Sequence, residues 1–308
     1  MAGGGGYYSD TEYDELLRKV SRSRSETETQ EFEIEVDSQI GSLLAEMNNR
    51  PVDKINSFLD EIRDCLGEEL ERPVRLLFGG SVAKHTYVDG LSDVDALVLL
   101  SSTDLVGKSP EDVKEYFFRQ LKSRLGKTPI RQGRLAITIE LEDAEIQLLP
   151  AMKRQNGYAI ADYSGKEWAS IRPRRFADVL TRMNEAMGGK GVPAIKLAKS
   201  VISSNLPENF SLSGYHIEAL AVEAFRNYTG PKTPRALLTH FMSGASRRVL
   251  KPIKDRTGQS ERVDDYLGPA NSRQRRIVSD SVDRIARRIQ VADIGQLVHE
   301  WRDILGVS

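Results

Sequence analysis

The periodicity of the chain predicts an α+β fold, a helix-flanked sheet followed by a helical half. Two observations carry this expectation. Short apolar runs of strand length gather between residues 74 and 150, and beyond about residue 165 every apolar pattern has the helical period. A third observation sets the start apart. Residues 1–30 open on MAGGGGYYSD and end in SRSRSETETQ, glycine-rich and then acidic and serine-rich, a composition expected to be flexible. The expected division is a flexible segment over 1–30, a sheet domain with its N-terminal helices over 31–165, and a helical domain over 166–308.

The elements follow in order. Phe32, Ile34, Ile40, Leu43, Leu44 and Met47 keep helical spacing. Arg50-Pro51 punctuates, and a second amphipathic helix runs to about Leu66. VRLLF, closed by Gly79-Gly80, and DALVLL read as buried strands. PEDVKEYFFRQLKSRLG reads as a helix with Pro110 in its first turn and Gly126 past its end. RLAITIEL and EIQLLP flank Glu142-Asp143-Ala144 and read as a β-hairpin. PRRFADVLTRMNEAMGG, VPAIKLAKSVISSN, GYHIEALAVEAFRNY, PRALLTHFMSGASRR, SRQRRIVSDSVDRIARRI and VADIGQLVHEWRDILG then read as helices.

Composition narrows the classes. The chain has 308 residues, 39% hydrophobic and 29% charged, which is a soluble composition with room for two domains. A net charge of −1 supplies no global field toward a membrane or nucleic acid, so nucleic-acid binding is not required. Local basic clusters, among them Arg172, Arg174 and Arg175, read as solvated faces. The single cysteine, Cys65, excludes a disulfide framework and implies a reducing cytoplasm. Neither a signal peptide nor an apolar run of bilayer length is found.

Residues 79–100, GGSVAKHTYVDGLSDVDALVLL, carry the chemistry. Gly79 and Gly80 let backbone approach a ligand, and Ser81 is expected to cap a short helix, VAKHTY, whose N-terminus favours phosphate. Lys84 adds a positive charge. Asp93 and Asp95 are two apart, so on a strand they share a face and repel unless a cation relieves them. Oxygen ligands without histidine or cysteine suit Mg²⁺. Each feature has an ordinary reading: a tight turn, a polar strand end, a solvated lysine. Together they make a phosphate cradle beside a metal pair, which is equipment for nucleotidyl transfer.

Gly80-Ser81, eleven residues, then Asp93-x-Asp95 before an apolar strand resembles the signature of the polymerase-beta-like nucleotidyltransferases. AIKLAKSV followed by LSGYHIEALAVEAF resembles two helix segments of cyclic GMP-AMP synthase and, more loosely, of 2′-5′-oligoadenylate synthase. PIKDRTGQSERVDDYLG, then SRQRR, is similar to bacterial members. The chain is thus identified, from about residue 35 to 306, as resembling the bacterial CD-NTases (cyclic GMP-AMP synthase/DncV-like nucleotidyltransferases) of CBASS anti-phage systems. The resemblance implies a helical domain that completes a nucleotide cleft, two Mg²⁺ ions (or Mn²⁺), and ATP, GTP or other nucleoside triphosphates as substrates. The implied product is a cyclic di- or trinucleotide that activates a separate effector protein. It also implies that Lys199, with Lys196 one turn before, meets the donor triphosphate, that Ser213 contacts phosphate and that Tyr215 stacks on a base. A cation and an aromatic face suit those tasks, although both also serve as ordinary helix residues. A template-independent polymerase, a toxin-type transferase and a degenerate nucleotide sensor are the alternatives.

One position breaks the pattern. The family normally carries a third metal-binding acid three residues before a Pro-Ala-like turn, and in AEIQLLPAMK that position is Gln147. Glu145 shares its strand face, roughly 6.8 Å away. Glu140 is the rival: a two-residue loop at Asp143-Ala144 would place it across from Gln147, about 5.5 Å between Cβ atoms. The expectation is Glu145.

Overall fold

In a computed structural model the chain is described over residues 10–48, 52–69, 75–78, 80–86, 88, 94–100, 107–142, 145–155, 157–162, 164–171, 173–207, 210–256 and 261–307. Helices α1 (Asp10–Glu46) and α2 (Val52–Glu69) lead into β1 (Arg75–Phe78), the single turn α3 (Gly80–Ala83) and β2 (Val94–Leu100). Helix α4 (Pro110–Arg124) follows, then β3 (Ile130–Gln132), β4 (Ile137–Glu140), β5 (Glu145–Arg154), β6 (Gly157–Ala161) and β7 (Trp168–Ile171). The second half holds α5 (Pro173–Ala186), α6 (Gly191–Asn205), α7 (Gly214–Ala224), α8 (Pro234–Arg248), α9 (Arg273–Gly295) and α10 (Val298–Leu305).

The sheet runs β1-β2-β5-β4-β3, with β6 and β7 continuing from the far end of β5. Strands β2 and β5 are parallel, with Asp95 opposite Gln147. Alternation then separates two faces. Ala96, Val98, Ile137, Ile139, Ile146 and Leu148 are buried with Ile62 and Leu66 of α2 and Phe117 and Leu121 of α4. Asp95, Glu145 and Gln147 belong to the opposite face, which also carries the smaller cluster of Leu97, Leu99, Ala151 and Ile160. Helix α4 starts on a capping box, Ser109 with Asp112, that satisfies donors at both residues.

The helical half has its own, larger core, in which Ile195, Ala198 and Val201 of α6 meet Leu220, Phe241, Ile285 and Trp301. Helix α1 joins this core rather than the sheet, through Phe32, Val36, Ile40 and Met47. Arg302 and Arg235 donate to Glu35 and Glu33 on its flank, at 2.9 and 2.5 Å. Periodicity shows that a helix has an apolar face but not which core covers it. Ile34, counted with that face, is 70% exposed. Residues 1–9 of the expected flexible segment lie outside the described residues, and α1 is helical from Asp10 onward, over a stretch that holds no proline and no internal glycine before Gly41. Strand β7 lies beyond the expected end of the strands near residue 165, and pairs with β6 through Tyr158 and Ile171.

A buried polar knot fixes the loop after α8. Arg275 is wholly buried and donates to Asp264 Oδ2 at 2.6 Å, Val249 O at 2.8 Å and Gly268 O at 2.9 Å. Asp264 in turn accepts the Ile253 N–H at 3.0 Å. His216 sits in the same knot, Nδ1 2.9 Å from the Tyr266 hydroxyl. Burial pushes the His216 imidazole down to about 4, with Arg275 and Arg248 acting in the same direction against Asp264. An unfolded histidine binds its proton near pH 6.5, so the unfolded state takes up more protons between pH 6.5 and 4, and stability falls as pH drops through that window. We expect a loss of about 2 kcal/mol between pH 8 and pH 5 from this group. Denaturant unfolding across that range should show it, and His216→Asn should flatten the slope.

Candidate active site

The site lies where α3, β2, α6 and α7 meet. Asp93 and Gly79 lie outside the described residues. Asp95, near the start of β2, accepts a hydrogen bond from the Ser81 backbone N–H. Burial pushes its carboxyl above the ordinary aspartate value, against the pull of Lys84 and of that N–H. Ser81 is therefore placed differently from expectation: it lies inside α3, not ahead of it, and its N–H serves Asp95. Among the described residues its buried hydroxyl has no hydrogen-bond partner. The expected helix VAKHTY is also shorter. His85 takes a left-handed φ of 58° and ends α3 after one turn, closed by Thr86 N–H on Ser81 O at 2.9 Å.

That turn sends Lys84 across to the helical half. Its ammonium pairs with Glu218 of α7, and Thr86 Oγ1 donates to the same carboxylate. Lys199 of α6 donates to Glu218 Oε1 at 3.0 Å and to Thr86 O at 2.8 Å. The Glu218 side chain is 1% exposed, Lys199 3% and Lys84 13%. Burial pushes Glu218 upward, yet Lys84, Lys199 and the hydrogen bonds from Lys84 and Thr86 outweigh it and hold the carboxyl below its ordinary value. Burial pushes the Lys199 ammonium down, and Lys84 acts in the same direction, against the pull of Glu218 and Asp95. Gly214 permits the approach: a Cβ there would stand 3.2 Å from Lys199 Nζ.

Ser213 and Tyr215 open α7. Ser213 Oγ caps the helix, accepting from His216 N at 3.2 Å. Tyr215 lies edge-on to Phe176, ring centres 4.7 Å apart, and donates its hydroxyl to Asp255 at 2.7 Å. Lys84 Nζ stands 5.1 Å from the Tyr215 ring centre, within cation–π range. Lys196 lies away from this group, donating to Asn48 Oδ1 at 2.5 Å.

The register decides how the acids align. Glu140 pairs with Glu145, and Thr138 faces Gln147. The connection between β4 and β5 is thus four residues, 141–144, not two, and Glu140 is not across from Gln147. Glu140 and Glu145 both bond Arg131, whose Nη2 donates to Glu145 at 2.9 Å. The structure therefore gathers Asp95, Ser81, Lys84, Lys199 and Tyr215, sets Gln147 beside Asp95, and holds both glutamates on an arginine at the sheet's edge. Sequence reading missed Glu218, Thr86 and Asp255. Glu218 left a signal, since an acid within the otherwise apolar IEALAV needs a buried partner.

Residues 34–184 match the Second Messenger Oligonucleotide or Dinucleotide Synthetase domain. Over these residues the chain carries this domain. This synthetase is a nucleotidyltransferase, as the motif at 79–100 led one to expect. Its fold is that of the CD-NTases. Escherichia coli MS115-1 CdnC in complex with HORMA-deltaN superposes with a TM-score of 0.64 at 15% identity, covering 83% of this chain and 92% of that one. Escherichia coli DncV bound to 3′-deoxy GTP gives 0.64 at 12% identity over 97% and 90%. Vibrio cholerae DncV cyclic AMP-GMP synthase, in complex with a linear intermediate, gives 0.63 at 12% over 97% and 91%. No curated protein matches the synthetase by sequence. Among the described residues no helix is long and apolar enough to cross a membrane.

Removing one member of a buried ion cluster leaves its partners uncompensated, which costs about 3–5 kcal/mol. Glu218→Gln should therefore destabilise the synthetase by about 3 kcal/mol or more in denaturant unfolding. A loss below about 1 kcal/mol, the range of an exposed pair, would contradict the geometry.

Proposed function

We propose that this synthetase joins nucleoside triphosphates, ATP or GTP among them, into a cyclic di- or trinucleotide, a cytoplasmic signal read by a separate effector protein in anti-phage defence. The observation that carries the reading is the pairing of Asp95 with the Ser81 N–H: a carboxylate whose ionisation burial disfavours, on a residue whose buried hydroxyl has no partner among the described residues. Both are marks of a site built for something charged. The relatives supply the class of ligand, being seen with 3′-deoxy GTP and with the linear intermediate pppA(3′,5′)pG.

The described residues fit a divalent ion such as Mg²⁺. Asp95 offers a desolvated oxygen, the orphan Ser81 hydroxyl lies alongside, and Gln147 stands opposite Asp95 in the register. No cluster of three His, Cys, Asp or Glu gathers among the described residues, and Asp93 lies outside them. Asp93 and Asp95 would hold the ion, with Glu145 as the third acid once released from Arg131. When bound, it supplies charge neutralisation at the donor phosphates and a more acidic acceptor hydroxyl.

The chain's own groups do the rest. Gly80 and Ser81 cradle the donor phosphates, and the orphan hydroxyl donates to one of their oxygens. Lys84, the more accessible of the two lysines, faces the triphosphate, while Lys199 supports its charge from behind through Glu218. Ser213 meets phosphate at the start of α7, and Tyr215 offers its ring to a base. So held, the acceptor ribose hydroxyl attacks the α-phosphorus, its proton passes to the Glu145 carboxylate, and pyrophosphate leaves.

Incubation with labelled ATP and GTP in Mg²⁺ should give a small, phosphatase-resistant product, and Asp95→Asn should abolish it. The same change should leave the melting temperature in metal-free buffer unchanged or raised, because it removes a desolvated charge. Normal product from Asp95→Asn would sink the reading. Label in RNA or protein would mean a polymerase or a toxin-type transferase, and no turnover in the wild type would mean a sensor.

A further inference from the structure

Asp95, Gln147, Thr138 and Arg131 stand in one line across the sheet. Asp95 is the register partner of Gln147, Gln147 of Thr138, and Thr138 of Arg131. Residues directly opposite on neighbouring strands project from the same face, with the strands about 4.8 Å apart. From β2 outward the line reads acid, amide, hydroxyl, cation. The neighbour of Asp95 on β5 therefore carries no charge, and the next charged group along the line is positive. Gln147 is half-buried between the buried Ile146 and Leu148, which fixes its amide on the face of Asp95.

The charges already standing around Asp95 do not favour a cation. The ammonium groups of Lys84 and Lys199 both act on its carboxylate. Glu218 is committed to those same lysines. Glu145, two residues before Gln147 on the same strand face, gives an oxygen to Arg131 at 2.9 Å. Among the described residues no three His, Cys, Asp or Glu side chains gather. The hold of an oxygen site on a divalent ion tightens with the number of charged ligands. An amide oxygen suits a hard cation but adds no charge. Its advantage lies in the metal-free protein. A carboxylate at position 147 would face Asp95 across the strands, and like charges so placed destabilise a sheet.

We propose that Gln147 is a ligand of the metal site through its amide oxygen, and that its neutrality makes the site's hold on a divalent ion conditional on the nucleotide. Without nucleotide the site takes the ion weakly. A bound triphosphate supplies the anionic oxygens that Gln147 does not. Ion and triphosphate then raise each other's affinity, as linkage requires. The proposal rests on the synthase reading and deepens it by naming the residue that sets this dependence.

The test is Mn²⁺ binding to the full chain, read from the electron spin resonance of the free ion. Without nucleotide, Gln147→Asp should bind Mn²⁺ about tenfold or more tightly than the wild type, because a full charge joins the ligands. Adding Asp95→Asn should remove that gain, which places the ion at Asp95 and not at a surface acid. Gln147→Asp should also melt below the wild type in metal-free buffer and recover with Mn²⁺, while Mn²⁺ alone should leave the wild-type melting temperature unchanged. Gln147→Met, of similar volume and without charge, tests the amide oxygen and decides the ligand role even if the acid variant does not fold. It should bind the Mn²⁺ complex of a non-hydrolysable ATP analogue about tenfold more weakly than the wild type. A wild type that binds Mn²⁺ without nucleotide as tightly as Gln147→Asp would overturn the proposal. So would a Gln147→Met variant that binds the Mn²⁺–analogue complex as the wild type does. None of these measurements reads product, so a chain that passes them and joins no nucleotides contradicts the synthase reading alone.

Discussion

One buried carboxylate organises the site. Glu218 lies in the helical half and is met by Lys84 and Thr86 from the sheet half and by Lys199 from the neighbouring helix. Taking an acid out of water costs several kcal/mol unless close opposite charges and donors replace the solvent. Here two ammonium groups and a hydroxyl do so, and they come from both halves of the chain. The angle at which α7 meets the sheet is thereby tied to ionic geometry. Tyr215, three residues before Glu218, and Ser81, three before Lys84, are positioned by the same contacts.

The cluster also sets the electrostatics of the cleft. Lys84 and Lys199 balance Glu218 and the nearby Asp95, leaving the group close to neutral before any ligand arrives. A nucleoside triphosphate brings several negative charges into this balance. Two lysines already shared with protein carboxylates are not enough to meet them, which is the physical reason a divalent cation belongs to the proposed chemistry.

Much of this was legible in the sequence. The strand of residues 94–100, the helices from α5 onward and the Gly-Ser and Asp-x-Asp spacing rest on local period and composition, and local signals survive folding. What failed was non-local. Whether α1 covers the sheet or the helical core depends on which apolar face is available, and Phe32, Val36 and Ile40 do not say. The register of Glu140 depended on a loop length, and one pair of residues moved it from Gln147 to Glu145. The partner of Lys199, Glu218, lies on another helix, and no spacing around Lys199 announces it. Spacing on one element shows which residues share a face. It does not show what waits opposite them.

The central claim is that Glu218 and the lysines act as one ionic unit. A double-mutant cycle on unfolding free energy, combining Lys199→Met with Glu218→Gln, tests it most directly. The account predicts that the double variant loses less than the sum of the single losses, with a coupling of about 1–3 kcal/mol. Additive losses, within about 0.5 kcal/mol, would show that the two side chains do not depend on each other and would contradict it.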